Sequence, residues 1–85
     1  MSPKHAPRRA LIAFHDVAAR QVRLLSDDEL LRLDPYLVRI SLDPSVGKER
    51  ASGSPLREYT APGVRVLFVA SALGRVVVVA YVEID

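Results

Sequence analysis

The sequence predicts one small α+β domain in the order β-α-α-β-β-β, with an antiparallel C-terminal meander packed on two helices. Three observations lead there. Two stretches with apolar residues at helical spacing fill the first half of the chain, and three apolar runs separated by Gly-containing turns fill the second. The length of 85 residues leaves room for a single hydrophobic core. A composition of 49% hydrophobic and 26% charged residues is that of an ordinary globular chain and excludes intrinsic disorder.

Residues 1–8 read as a flexible basic arm, because Pro3 and Pro7 interrupt regular pairing and no apolar residue anchors the segment. The domain then spans residues 9–85. "RALIAF", residues 9–14, is short and apolar and suits a buried strand. It is too short for the core of a signal peptide or for a bilayer span, so a cytoplasmic protein of bacterial type with no membrane partner is expected.

From His15 onward, Ala18, Val22 and Leu25 fall on one side of a helix, with Arg20 and Arg23 turned away. Ser26 followed by Glu29 is a capping-box pattern, and Asp27, Asp28 and Glu29 put three acids at the positive end of a helix dipole; a second helix therefore starts at residue 27. Leu30, Leu33, Leu37 and Ile40 continue it as one apolar stripe. Pro35 opens two outcomes. Either the helix kinks and restarts with Asp34 as a new N-cap and Pro35 in the first turn, or it ends there and "YLVRISL" becomes a strand. Asp43-Pro44 is a stop in both cases.

Residues 43–55, "DPSVGKERASGSP", read as a surface loop. "LREYT", "VRVLFVA" and "VVVVAYV" follow as three strands. Pro62-Gly63 fits the two central positions of a type II turn, and Gly74 a left-handed position in the next turn. A two-residue turn at 62–63 sets Thr60 opposite Arg65 and Glu58 opposite Leu67, so Arg65, Thr60 and Glu58 share one face while Arg57 and Tyr59 join the other. The same counting across "SALG" sets Arg65 near Ala80. Val66, Phe68, Val77, Val79 and Tyr81 make the better apolar face and are assigned to the helices. Because "VVVV" is apolar on both sides, its strand is expected to be central or covered on both faces, by a partner in the second case.

Chemistry is bounded by what is missing. With no cysteine and two isolated histidines, a thiolate metal site or Cys nucleophile is excluded, and neither a metal nor a cofactor is expected. A net charge of +2 does not by itself mark a nucleic-acid binder. His15 beside Asp16 reads as a helix-start feature, since adjacent helical residues do not face each other. Arg65 and Glu58 admit two readings. One is a partly exposed cross-strand ion pair, worth about 0–1 kcal/mol. The other is an arginine held on a rigid strand to bind a phosphate, with Lys48, Arg50 and Arg57 adding positive potential.

The succession of a short strand, two helices, a "DP...GK" loop, a "PLREY" strand, "PGVRVLFV" and a valine-rich last strand resembles the RelE/ParE toxin superfamily of bacterial toxin–antitoxin modules. The resemblance covers residues 9–82 and is carried most by the Gly-x-Arg-Val-Leu-Phe stretch, Gly63 to Phe68. It implies a type II toxin held inactive by a cognate antitoxin, and an endoribonuclease that cuts mRNA on the ribosome. Arg65 would be the phosphate-binding or catalytic residue, and Lys48 and Glu49 would match a loop that carries further site residues. Attack by an RNA 2′-hydroxyl needs a base, for which Glu58 and Glu49 are the candidates, charge stabilisation on the phosphate, which Arg65 would supply, and an acid for the leaving oxygen, for which no residue stands out. Where mRNA-cutting members carry basic and aromatic C-terminal residues, this sequence has Glu83, Ile84 and Asp85. The alternative is accordingly a non-enzymatic member, either a gyrase-directed toxin of the ParE kind or a catalytically silent partner-binding protein.

Overall fold

The computed structural model describes residues 9–71 and 73–85; the predicted arm at 1–8 lies outside the described residues. The elements run β1 (Leu11–Phe14), α1 (Asp16–Arg23), α2 (Asp27–Leu42), β2 (Lys48–Glu49), β3 (Leu56–Ala61), β4 (Val64–Ala70) and β5 (Val76–Ile84). The predicted order holds, with a two-residue strand, β2, inside the segment expected to be loop. The five strands form one sheet in the order β1-β5-β4-β3-β2.

α2 begins as expected. The Ser26 hydroxyl accepts from the Glu29 N–H at 3.2 Å, and the Glu29 carboxylate accepts from the Ser26 N–H at 2.8 Å, which closes the capping box. Ser26→Ala is expected to cost about 1 kcal/mol, read as a fall in Tm of about 4–8 °C; an unchanged Tm would show that the box adds nothing. The helix then runs unbroken through Pro35 to Leu42. Residues 36–42 are therefore helical, and Asp34 does not cap a new helix. Pro35 leaves the Leu31 carbonyl without its usual donor, but Leu31 and Pro35 are both exposed, so water can take that place. Burial on the other side offsets the cost: Leu33 and Ile40 are 1% and 0% exposed, and Tyr36 and Leu37 pack beside them. Leu30 departs from the expected stripe and stays exposed at the helix surface.

Beyond α2, Asp43 organises the start of the loop by accepting from both the N–H and the hydroxyl of Ser45. These two bonds, the hydroxyl first, hold its carboxyl below the ordinary aspartate range. Because the folded-state value is depressed, the stabilisation is complete above the unfolded value and is lost as pH falls below about 4. Asp43→Asn should flatten the acid limb of thermal stability between pH 5 and pH 3 relative to the parent, in a series of circular-dichroism melts.

The β3–β4 register is the one read from the Pro62-Gly63 turn, with Thr60 opposite Arg65 and Glu58 opposite Leu67, and Gly63 takes φ 78°. The β4–β5 register differs from expectation. Arg65 faces Glu83, not Ala80. The turn between these strands is longer than the sequence count allowed, and a bulge falls opposite Leu67/Phe68, where Val79 pairs with Phe68 but Tyr81 pairs with Leu67. One extra residue in a strand exchanges the faces of everything after it. Tyr81 is thereby moved off the helix-covered face, and Val82, 4% exposed, takes its place in the core.

The core holds Val64, Val66 and Phe68 of β4 and Val77, Val79 and Val82 of β5 beneath Ala18 of α1 and Leu33 and Ile40 of α2. β1 runs parallel to β5, from Leu11 opposite Val76 to Phe14 opposite Val79. This puts β5 between two strands and accounts for its four consecutive valines. Past the end of β1, the Val82 N–H donates to Gln21 Oε1 of α1 at 2.7 Å, so a helix side chain replaces the missing strand partner. Among the described residues no helix is long and apolar enough to cross a membrane.

Candidate functional site

The helices cover one face of the sheet and leave the other open. Pleating decides which residues appear there, since side chains alternate along each strand. Arg65, Leu67 and Val69 of β4, Leu56, Glu58 and Thr60 of β3, and Lys48 of β2 share the open face, as their pairings require. Past the bulge, Tyr81 and Glu83 of β5 join them.

One end of this face is ionic. Arg65 Nε lies 2.9 Å from Glu58 Oε2 and Arg65 Nη1 lies 3.6 Å from Glu83 Oε1. The other Glu58 oxygen, Oε1, accepts from Arg50 Nη1 at 2.9 Å. The Thr60 hydroxyl completes the cluster, donating to Glu58 Oε2 at 3.5 Å. Glu58 is thus the hub, held between two guanidinium groups on neighbouring elements, and Lys48 stands opposite it in the β2–β3 pairing. Asp85 lines the same edge of the sheet as Arg65 and Glu83, so the cations Arg65, Arg50 and Lys48 are matched in number by Glu58, Glu83 and Asp85.

The Arg65–Glu58 contact is Coulombic more than hydrogen-bonded. Its Nε is shut off from solvent, yet the N–H is not aligned with any acceptor. Side-chain exposures of 37% for Arg65 and 27% for Glu58 keep water close enough to screen the pair, so its net worth is about 0–1 kcal/mol.

Of the residues singled out from the sequence, Arg65, Glu58, Arg50 and Lys48 are brought together. Arg57 and Glu49 are not. They pair with each other in the β2–β3 register, one position away from Lys48 and Glu58, and so belong to the helix-covered side of the sheet. The Arg57 guanidinium donates to the carbonyls of Ser45 at 2.6 Å, Val46 at 3.3 Å and Gly47 at 2.8 Å. It serves as a clamp on the loop that leads into β2. Gly47 is needed at the same place: its φ is 90°, and a Cβ there would sit 2.5 Å from the Glu58 carbonyl oxygen. Together these fix the backbone beneath Lys48 and Glu58.

Tyr59 lies on the helix side with its ring 5.8 Å from that of Tyr36, which makes it a core-edge residue. His15 precedes α1 and makes no capping bond through its side chain. Glu83 was missed as a neighbour of Arg65, because nothing in the local sequence marks the bulge that brings it there. Among the described residues no group of three His, Cys, Asp or Glu side chains is arranged to hold a metal ion.

The architecture is the fold of the RelE toxins of toxin–antitoxin systems. Three solved structures show the extent of the likeness. A chain of the RelBE2 toxin–antitoxin complex from Mycobacterium tuberculosis superposes with a TM-score of 0.75 at 20% identity, covering 91% of this chain and 92% of that one. The isolated E. coli RelE toxin gives a TM-score of 0.75 at 20% identity over 89% and 84% of the two chains. A chain of the intact E. coli RelBE complex gives 0.72 at 22% identity over 89% and 96%. No family model and no curated protein sequence matches the chain.

Proposed function

We propose that this chain is a RelE-like type II toxin of the bacterial cytoplasm, neutralised by a cognate antitoxin and directed at mRNA on the ribosome. The observation that carries this reading is the superposition on RelE toxin structures over about nine-tenths of the chain. The open-face cluster supports it. Arg65 sits on a central strand, where its planar fork can receive two phosphate oxygens, and its unaligned Nε–H would gain a proper acceptor by turning from Glu58 to an anion. Lys48 and Arg50 add phosphate contacts beside it. Glu58, once released by Arg65, can take the proton of an attacking 2′-hydroxyl while Arg65 offsets the charge growing on the phosphate; as the 2′-oxygen bonds to phosphorus the P–O5′ bond breaks, and the leaving 5′-oxygen takes its proton from water. Glu49 and Arg57 drop out of the proposed site, since they belong to the other side of the sheet.

A second reading is favoured by one specific feature: in the free protein two carboxylates, Glu58 and Glu83, face Arg65. A non-enzymatic toxin or partner-binding protein needs no free guanidinium and would retain such pairs. Induced expression in a bacterial host separates the two. Growth arrest with fragmented mRNA supports the nuclease, and arrest with intact mRNA but altered plasmid supercoiling supports a gyrase-directed toxin. Unimpaired growth with soluble protein present overturns the toxin reading.

A further inference from the structure

A second surface lies at the far end of the sheet. From Arg65 the strands run roughly 20 Å to the β4–β5 turn, where Arg9, Leu11, Leu73, Gly74 and Arg75 line a cavity of about 610 Å³. The backbone holds this cavity in shape. The Leu11 N–H donates to the Arg75 carbonyl at 2.8 Å, tying the start of β1 to the turn. The Ser71 hydroxyl accepts from the N–H groups of Arg75 and Val76 at 3.1 and 3.2 Å, and Gly74 takes φ 66° to close the loop. On this frame Leu11 is 73% exposed and Leu73 79% exposed.

Among the described residues neither arginine lining the cavity has a carboxylate partner, and the two stand on either side of the exposed leucines. Arg9 donates through Nε to the Ser41 hydroxyl at 3.3 Å. Residues 1–8 and 72 contain no Asp or Glu, so none of them can supply one. Two uncompensated cations therefore flank two solvent-exposed leucines.

We infer that this cavity docks an acidic, aliphatic peptide segment of a partner protein, its carboxylates on Arg9 and Arg75 and its apolar side chains on Leu11 and Leu73. Charge complementarity selects the sign of the partner, and the leucines select a peptide over a nucleic acid. Single-stranded RNA is held by stacking its bases on aromatic rings, and no aromatic residue lines this cavity. The surface is separate from the Arg65 cluster and does not depend on what that cluster does.

The test is fluorescence anisotropy of a labelled peptide of repeated Glu-Leu-Asp-Leu on the full chain. Arg75→Glu and Leu73→Ser carry it, because both side chains are exposed and both substitutions leave the core untouched. Binding at least tenfold weaker in each variant, with Arg65→Ser unchanged, is the expected result. Equal binding of a Glu-Ser-Asp-Ser peptide would reduce the surface to a general anion attractor and overturn the proposal. So would tighter binding of oligouridine lost on Arg75→Glu, or self-association lost on Leu73→Ser, which would hand the surface to RNA or to a second copy. Peptide binding unaffected by either substitution would overturn it as well. Growth and mRNA readouts stay independent of all these outcomes.

Discussion

Arg65→Ala is expected to lower RNA cleavage by about 100- to 1000-fold, the usual loss when one preorganised donor to a developing phosphate charge is removed. The side chain lies on the open face, 37% exposed, and its ion pairs are screened, so Tm should move by only a few degrees. Arg65→Lys keeps the charge but loses the planar fork and should recover only part of the activity. The measurement is cleavage of ribosome-bound mRNA by purified protein, together with growth after induction. If Arg65→Ala cut as fast as the parent, Arg65 would be no more than a surface ion-pair residue. Glu58→Gln gives a different signature, since it frees both guanidinium groups: RNA affinity should rise while the cleavage rate falls.

Phe68→Ala should have the largest effect on stability. The ring is 0% exposed in the middle of β4, against the helices and beside Val66 and Val79. Truncating it removes an aromatic side chain and leaves a cavity that close-packed neighbours cannot fill, at a cost of about 3–5 kcal/mol. A domain of this length holds about 4–13 kcal/mol in all. The variant should therefore melt on the order of 20 °C lower or fail to fold. Urea denaturation checks it, and a midpoint close to that of the parent would mean that the core relaxes around the gap.

The fold was largely legible because its signals are local. The Ser26–Glu29 box, the helical stripe from Leu33 to Ile40 and the Pro62-Gly63 turn each act over a few residues, and each is found as read. Pro35 was the ambiguous residue. Its backbone defect left a kinked helix running to Leu42 and a strand from Tyr36 both open; the burial of Leu33 and Ile40 on either side outweighs one lost hydrogen bond, and only the packed structure contains that term. The site was half legible. A two-residue turn carries Arg65 to Thr60 and Glu58 by simple counting, so that part of the cluster follows from the chain itself. Counting from the same turn also puts Arg57 on the face opposite Arg65, as found, and it was grouped with the site by charge alone; Glu49, given no face by the sequence, pairs with Arg57 and shares its side.

What the sequence determined by itself is the order of elements, the β3–β4 register and the presence of an arginine and a glutamate on one sheet face, because turn chemistry and side-chain alternation act over a few residues. What only the tertiary structure decided is how β5 meets β4 and β1. A bulge opposite Leu67/Phe68 turns Tyr81 outward, brings Val82 inward and sets Glu83 beside Arg65. The parallel pairing with β1 encloses the valines and creates the Arg9–Arg75 cavity. Both outcomes come from contacts between distant segments, where packing against Phe68 and the helices, and not local propensity, selects the register.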